Sequence, residues 1–90
     1  MSGWKIRYTD NTFTFLEAID RPIRHQIINR LEWFVGHFDE LYPDALHEEW
    51  KGFYKFRIGD WRVVYNYETS KRLITVHHID RRDKVYKKRK

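Results

Sequence analysis

The stretch FYKFRIGDWRVVYNY, residues 53–67, constrains this 90-residue chain more than any other. Apolar and basic side chains alternate on both sides of Gly59-Asp60, the two-residue period of strands with one buried face. A two-residue connection is the length of a tight hairpin, and it pairs Ile58 with Trp61 and therefore Arg57 with Arg62. Lys55 falls on the same face. The opposite face, with Tyr54, Phe56, Ile58, Trp61, Val63 and Tyr65, has to pack against something apolar, which leaves a layered fold with an uncovered cationic sheet surface. Like charges directly opposite each other destabilise by about a few tenths of a kcal/mol, more when shielded from water. Either Asp60 or an acid of residues 39–49 neutralises them, or an anion from outside belongs there. Two guanidinium forks flanking one phosphate would bind its oxygens bidentately and stabilise added charge in a phosphoryl transition state.

The rest of the chain supplies the other layer. WKIRY (4–8) alternates like a strand. In DNTFTFLEAID, Asn11 or Thr12 is expected to cap a short helix carrying Phe13, Leu16 and Ile19. Asp20 then caps a second helix with Pro22 in its first turn and Ile23, Ile27, Leu31, Phe34, Val35 and Phe38 at helical spacing. Residues 37–52 lose that pattern, hold Pro43, Gly52 and five acids, and read as a loop with one helical turn at most. Strands over 53–58, 61–68 and 72–79 follow, joined by short turns into an antiparallel meander. The expected fold is α+β in the order β-α-α-β-β-β, a helical hairpin on one face of a small antiparallel sheet. Residues 1–90 make one domain, with a basic tail from 80 to 90.

Charge is distributed unevenly. Residues 1–50 hold five Lys or Arg against nine acids, and residues 51–90 hold thirteen against four, within a net charge of +5. That polarity suits a polyanionic partner, nucleic acid above all. The chain has no cysteine, which excludes disulfide and thiolate chemistry, and no apolar run long enough to span a membrane. A cytoplasmic location is expected. In the last strand, Ile74 and Val76 on the core side put His77 on the basic face, and a one-residue slip puts His78 there instead. Histidine is the usual acid or base near neutral pH, although a pair within a strand is more often structural. Neither a third ligand nor a suitably spaced carboxylate accompanies the pair, so no metal and no cofactor is expected.

The segments YKFRIGDWRVVYNYE and VHHIDRRDKVYKK together resemble the RelE/ParE superfamily of toxin–antitoxin toxins, closest to its RelE branch, and the element order is similar over nearly the whole chain. The resemblance implies a toxin that enters the ribosomal A site and cuts messenger RNA without metal, the ribose 2′-OH attacking the adjacent phosphate. The site residues it implies are Lys55, Arg57, Arg62, Arg82 and Tyr86, with Arg81 a rival for Arg82. Lys51, Arg81, Lys84 and Lys87 would hold RNA, and His77 and His78 would support. Asp80 and Arg81 stand where many relatives have Gly and His, which leaves the role of that His open. Proton transfer would fall to Lys55, crowded by the arginines, and to Arg82 or Tyr86 near the leaving 5′ oxygen; no carboxylate other than Asp60 is expected near the basic strands. The partners implied are the ribosome, messenger RNA and a RelB-like antitoxin that lays an acidic helix or strand over the basic face, with no membrane involved. A ParE-like gyrase inhibitor and a non-catalytic RNA-binding module are the alternatives.

Overall fold

The computed structural model describes residues 3–45 and 51–81. Strand β1 (Lys5–Tyr8) leads into helices α1 (Asp10–Ala18) and α2 (Arg21–Gly36) and a 3-10 turn over Phe38–Glu40. Strands β2 (Asp44–Ala45), β3 (Tyr54–Ile58), β4 (Trp61–Glu68) and β5 (Leu73–Arg81) complete an α+β fold. The five strands form one sheet in the order β1-β5-β4-β3-β2. From β2 to β5 the neighbours are antiparallel, as the short turns require. β1 instead joins the far side of β5 in parallel, with Lys5 opposite Leu73 and Tyr8 opposite Val76, so the sheet is mixed. Parallel neighbours need a long connection, and both helices and three strands lie between these two.

Local chemistry explains where the elements begin. α1 is capped by Thr9, not by Asn11 or Thr12: Thr9 Oγ1 accepts the N–H of Thr12 at 3.3 Å. Thr12 is buried, and its hydroxyl donates to the carbonyl of Val76 at 3.2 Å, tying the helix to β5. Asp20 holds the N-cap position of α2 but makes no side-chain capping bond, and Pro22 sits in the first turn as its type predicts. Arg24 reaches back from α2 and donates to the carbonyls of Leu16 at 2.9 Å and Ile19 at 3.3 Å, closing the bare end of α1. Residues 37–52, expected as a loop, contain the 3-10 turn and the two-residue strand β2.

Ile27, Leu31 and Phe34 form the buried stripe of α2, and Phe38 extends it. They pack with Leu16 of α1 on Ile58, Val63, Tyr65, Ile74, Val76 and Ile79, while Tyr54, Phe56 and Trp61 border the same core. The expected apolar sheet face is therefore the one under the helices. Phe34 anchors it, with ring centroids 4.1 Å from Phe56, 5.1 Å from Tyr65 and 5.3 Å from Phe38. Aromatic contacts of this kind add about 0.5–1.5 kcal/mol each beyond the area they bury.

Two irregularities shape the other face. The β4–β5 register slips between Val64 and Tyr65: Val64 lies opposite His78 but Tyr65 opposite Val76, so His77 is an extra residue in a β-bulge. β5 also runs past the expected end at residue 79, which brings Asp80 and Arg81 into the sheet instead of a tail.

Candidate functional site

Strand pairing lays out the face opposite the helices as rows. Arg57, Arg62 and Asp80 stand side by side across β3, β4 and β5, and the next row is Lys55, Val64 and His78. Beyond the bulge, Asn66, Thr75 and Arg7 continue the grid across β4, β5 and β1. Neighbours in a row are about 4.8 Å apart, and rows about 7 Å.

The predicted pairing of Arg57 with Arg62 is present, and Lys55 is one row away on the same face. Arg62 is not left facing Arg57 alone. Its Nε donates to Asp80 Oδ1 at 3.3 Å and its second guanidinium nitrogen to Oδ2 at 3.1 Å, a two-pronged pair about three-quarters shielded from solvent. The carboxylate paired with Arg62 is thus Asp80, not Asp60, and the basic strands do carry an acid close at hand; of the acids expected from residues 39–49, Glu48 and Glu49 lie outside the described residues. Alternation carries the signal for it: once β5 extends to residue 81, the spacing in HHIDR puts Asp80 beside Arg62. Lys55 and Arg57 are exposed, and among the described residues neither has a carboxylate within ion-pair distance.

The bulge gives both histidines a place on this face. His78 Nε2 lies 3.1 Å from Asp80 Oδ2, and since a carboxylate only accepts, Nε2 bears the hydrogen. His77 Nε2 meets Asn66 Oδ1 at 3.1 Å, and its ring stacks on Phe53 with centroids 5.0 Å apart. Burial, and secondarily the Arg7 charge, hold the His77 pKa below its ordinary value.

The remaining site residues separate. Arg81 is opposite Trp61 and lies over that ring at 5.6 Å, on the helix side of the sheet, because successive side chains of a strand alternate. The structure therefore keeps it away from Lys55, Arg57 and Arg62. Lys51 is exposed in the turn at Gly52, whose φ of 88° suits glycine. Arg82, Lys84, Tyr86 and Lys87 lie outside the described residues. Sequence reasoning missed Asp80 as a partner, and it missed a notch of about 200 Å³ between α2 and the edge of the sheet. Phe34, Leu41, Tyr42 and Phe56 line this notch, with Lys55 and Arg57 at its rim. Among the described residues no helix is long and apolar enough to cross a membrane.

Two helices on one side of a five-strand mixed sheet is the build of the RelE toxins. The structure is similar to the toxin of the RelBE2 toxin–antitoxin complex from Mycobacterium tuberculosis, with a TM-score of 0.80 at 17% identity over 91% of this chain and 94% of that one. It is also similar to the isolated E. coli RelE toxin, with a TM-score of 0.71 at 14% identity over 96% and 94%. The archaeal RelE–RelB complex from Pyrococcus horikoshii gives 0.65 at 17% identity over 91% and 97%. At these identities the likeness is one of fold. No curated protein matches the chain closely enough to count as a relative. The family model for the ParE toxin of the type II toxin–antitoxin system parDE matches residues 6–86. The chain belongs to that family of type II toxins, within the RelE/ParE superfamily.

Proposed function

We propose that this toxin is a ribosome-dependent endoribonuclease that cuts messenger RNA in the A site. The observation that carries the reading is the Arg57–Arg62 pair with Lys55 one row away, on the sheet face opposite the two described helices. A phosphodiester laid across that row meets two guanidiniums. Arg62 uses two of its five N–H donors on Asp80 and keeps the others, in a fixed orientation, for phosphate oxygens. The 2′ oxygen attacks the adjacent phosphorus, the bond to the 5′ oxygen breaks, and the arginines stabilise the charge gathered on the phosphorane oxygens. Lys55 stands at the next row to exchange a proton with a reacting oxygen, and Arg82 and Tyr86 take the roles the family resemblance gives them. The products are a 2′,3′-cyclic or 3′-phosphate and a 5′-OH. These are poor acids and bases, so the ribosome must supply the alignment, and free RNA is cut weakly or not at all.

The same surface suits restraint by an antitoxin. The relatives of known structure include RelB-bound toxins. An acidic amphipathic segment would place apolar anchors in the notch beside Phe34 and Phe56 and its carboxylates on Lys55 and Arg57.

A second reading, inhibition of gyrase, is favoured by the ParE family match and by the Arg62–Asp80 pair, which lowers the charge offered to a phosphate. Cell-free translation separates the two. The nuclease reading expects new 5′ ends within ribosome-bound codons and a loss of cutting by about 10²-fold or more in Arg62→Ala. Intact messages alongside broken DNA would replace it with the gyrase reading.

A further inference from the structure

Asp80 does more than offset the charge of Arg62. Its Oδ2 accepts from the Arg62 guanidinium and from His78 Nε2, each at 3.1 Å, so one oxygen holds the two donors no more than twice that distance apart. The second contact of Arg62, Nε to Oδ1 at 3.3 Å, keeps the carboxylate from turning. With the hydrogen on Nε2, the neutral imidazole carries its lone pair on Nδ1. Among the described residues no donor meets that nitrogen. The ring is also within reach of a substrate, its side chain 43% exposed against 22% for the acid that steers it. His77 differs on each point: its Nε2 is taken up by the Asn66 amide oxygen, its ring is stacked on Phe53, and it has no carboxylate.

We propose that His78 is the general base of the cleavage and that Asp80 is its positioning residue, an inference that rests on the RNA-cleaving reading. In an attack-ready strand the 2′ oxygen lies about 3 Å from the phosphorus, so a phosphate seated on Arg62 brings its 2′-OH into the range of His78. Nδ1 takes the 2′-OH proton, the 2′ oxygen bonds to phosphorus as the bond to the 5′ oxygen breaks, and that oxygen takes a proton from the Lys55 ammonium. Ring and ammonium return to their starting states by exchange with water. Lys55 shares the row of His78 on the other side of Val64, and an in-line displacement needs its attacking and leaving oxygens on opposite sides of the phosphorus. The charged and titratable groups on the same face are His77 and Asp80 on β5, Arg62 on β4, and Lys55 and Arg57 on β3. Past the end of β1, Asp10 opens α1 and makes no ion pair among the described residues.

The test follows single-turnover cutting of messenger RNA on programmed ribosomes by the full chain, in excess, across pH. The parent's rate should fall about tenfold per pH unit at the acid end of the profile, where the base is lost to protonation. His78→Ala, with a parent-like circular dichroism spectrum, should cut about 10²-fold more slowly, lose that acid limb and regain part of its rate with added imidazole. His78→Gln fills the space without supplying a base, and should lose as much and regain nothing. Asp80→Asn offers an amide that can donate to Nε2 and leave the hydrogen on Nδ1, so cutting should fall about tenfold or more while RNA binding is not weakened. Parent-like cutting by the His78 variants, or an acid limb that persists in them, would overturn the base; unimpaired cutting by Asp80→Asn would overturn its positioning role. Messages left intact by the parent chain would remove the nuclease reading itself, and this base with it.

Discussion

With two N–H donors committed to Asp80, Arg62 trades some of its attraction for anions for a defined direction. Removing the carboxylate's charge without its shape should reverse that trade. Asp80→Asn is expected to bind RNA more tightly at low salt and to steepen the dependence of log K on log salt by about one further ion, as measured by fluorescence titration of a short single strand across salt concentrations. A slope unchanged from the parent would mean that Arg62 does not engage phosphate. His77 makes a prediction in pH. Its pKa is lowered from 6.5 in the folded chain by burial first and Arg7 second, so the unfolded chain takes up this proton more readily. Above pH 6.5 the ring is neutral in both states and contributes no pH dependence. As pH falls below that value the folded state loses stability, until folded His77 protonates as well. Urea midpoints between pH 8 and pH 5 should therefore fall more steeply for the parent than for His77→Gln, and parallel curves would place the titration elsewhere.

The elements differ in how far the sequence announces them. The β3–β4 hairpin was fully legible, because a two-residue turn between alternating strands leaves one register, and Gly59 has the φ of 58° that such a turn needs. Among the described residues a methyl group there meets only Gln26, at an ordinary 3.5 Å, so Gly59→Ala should lose about 1 kcal/mol through the backbone, read as a lower urea midpoint with an unchanged slope. The bulge at His77 was not legible. Two consecutive polar residues of the same type give no sign of which is the extra one, so the choice between His77 and His78 stayed open until pairing showed both on one face. Nor was the cap of α1, since Thr9 and Thr12 are chemically alike and only tertiary contact shows that Thr12 serves β5. Asp80 was hidden by the end of a strand, the least determinate feature of any sequence reading. One extra turn of alternation put a carboxylate beside Arg62 and sent Arg81 to the opposite side.

At the scale of the molecule, the polarity of the sequence becomes a polarity of layers. The acid-rich first half supplies both helices, and the base-rich second half supplies three of the five strands. The layers meet at Phe34, whose ring touches both the sheet and Phe38. Phe34→Ala should cost about 3–5 kcal/mol, much of what a domain this size possesses, and denaturant melts should show a chain largely unfolded at 37 °C. A loss under about 1 kcal/mol would mean that the layers hold together without it. The parallel edge adds a consequence in time. β1 is among the first segments to be synthesised, yet its neighbour Leu73 comes 68 positions later, and the acid that orients Arg62 later still. Distant pairings of this kind form slowly, after the intervening chain exists. A nascent copy of this toxin is thus without its finished cationic surface until residue 80 has been made and has docked, so synthesis of the chain itself sets a delay before that surface exists.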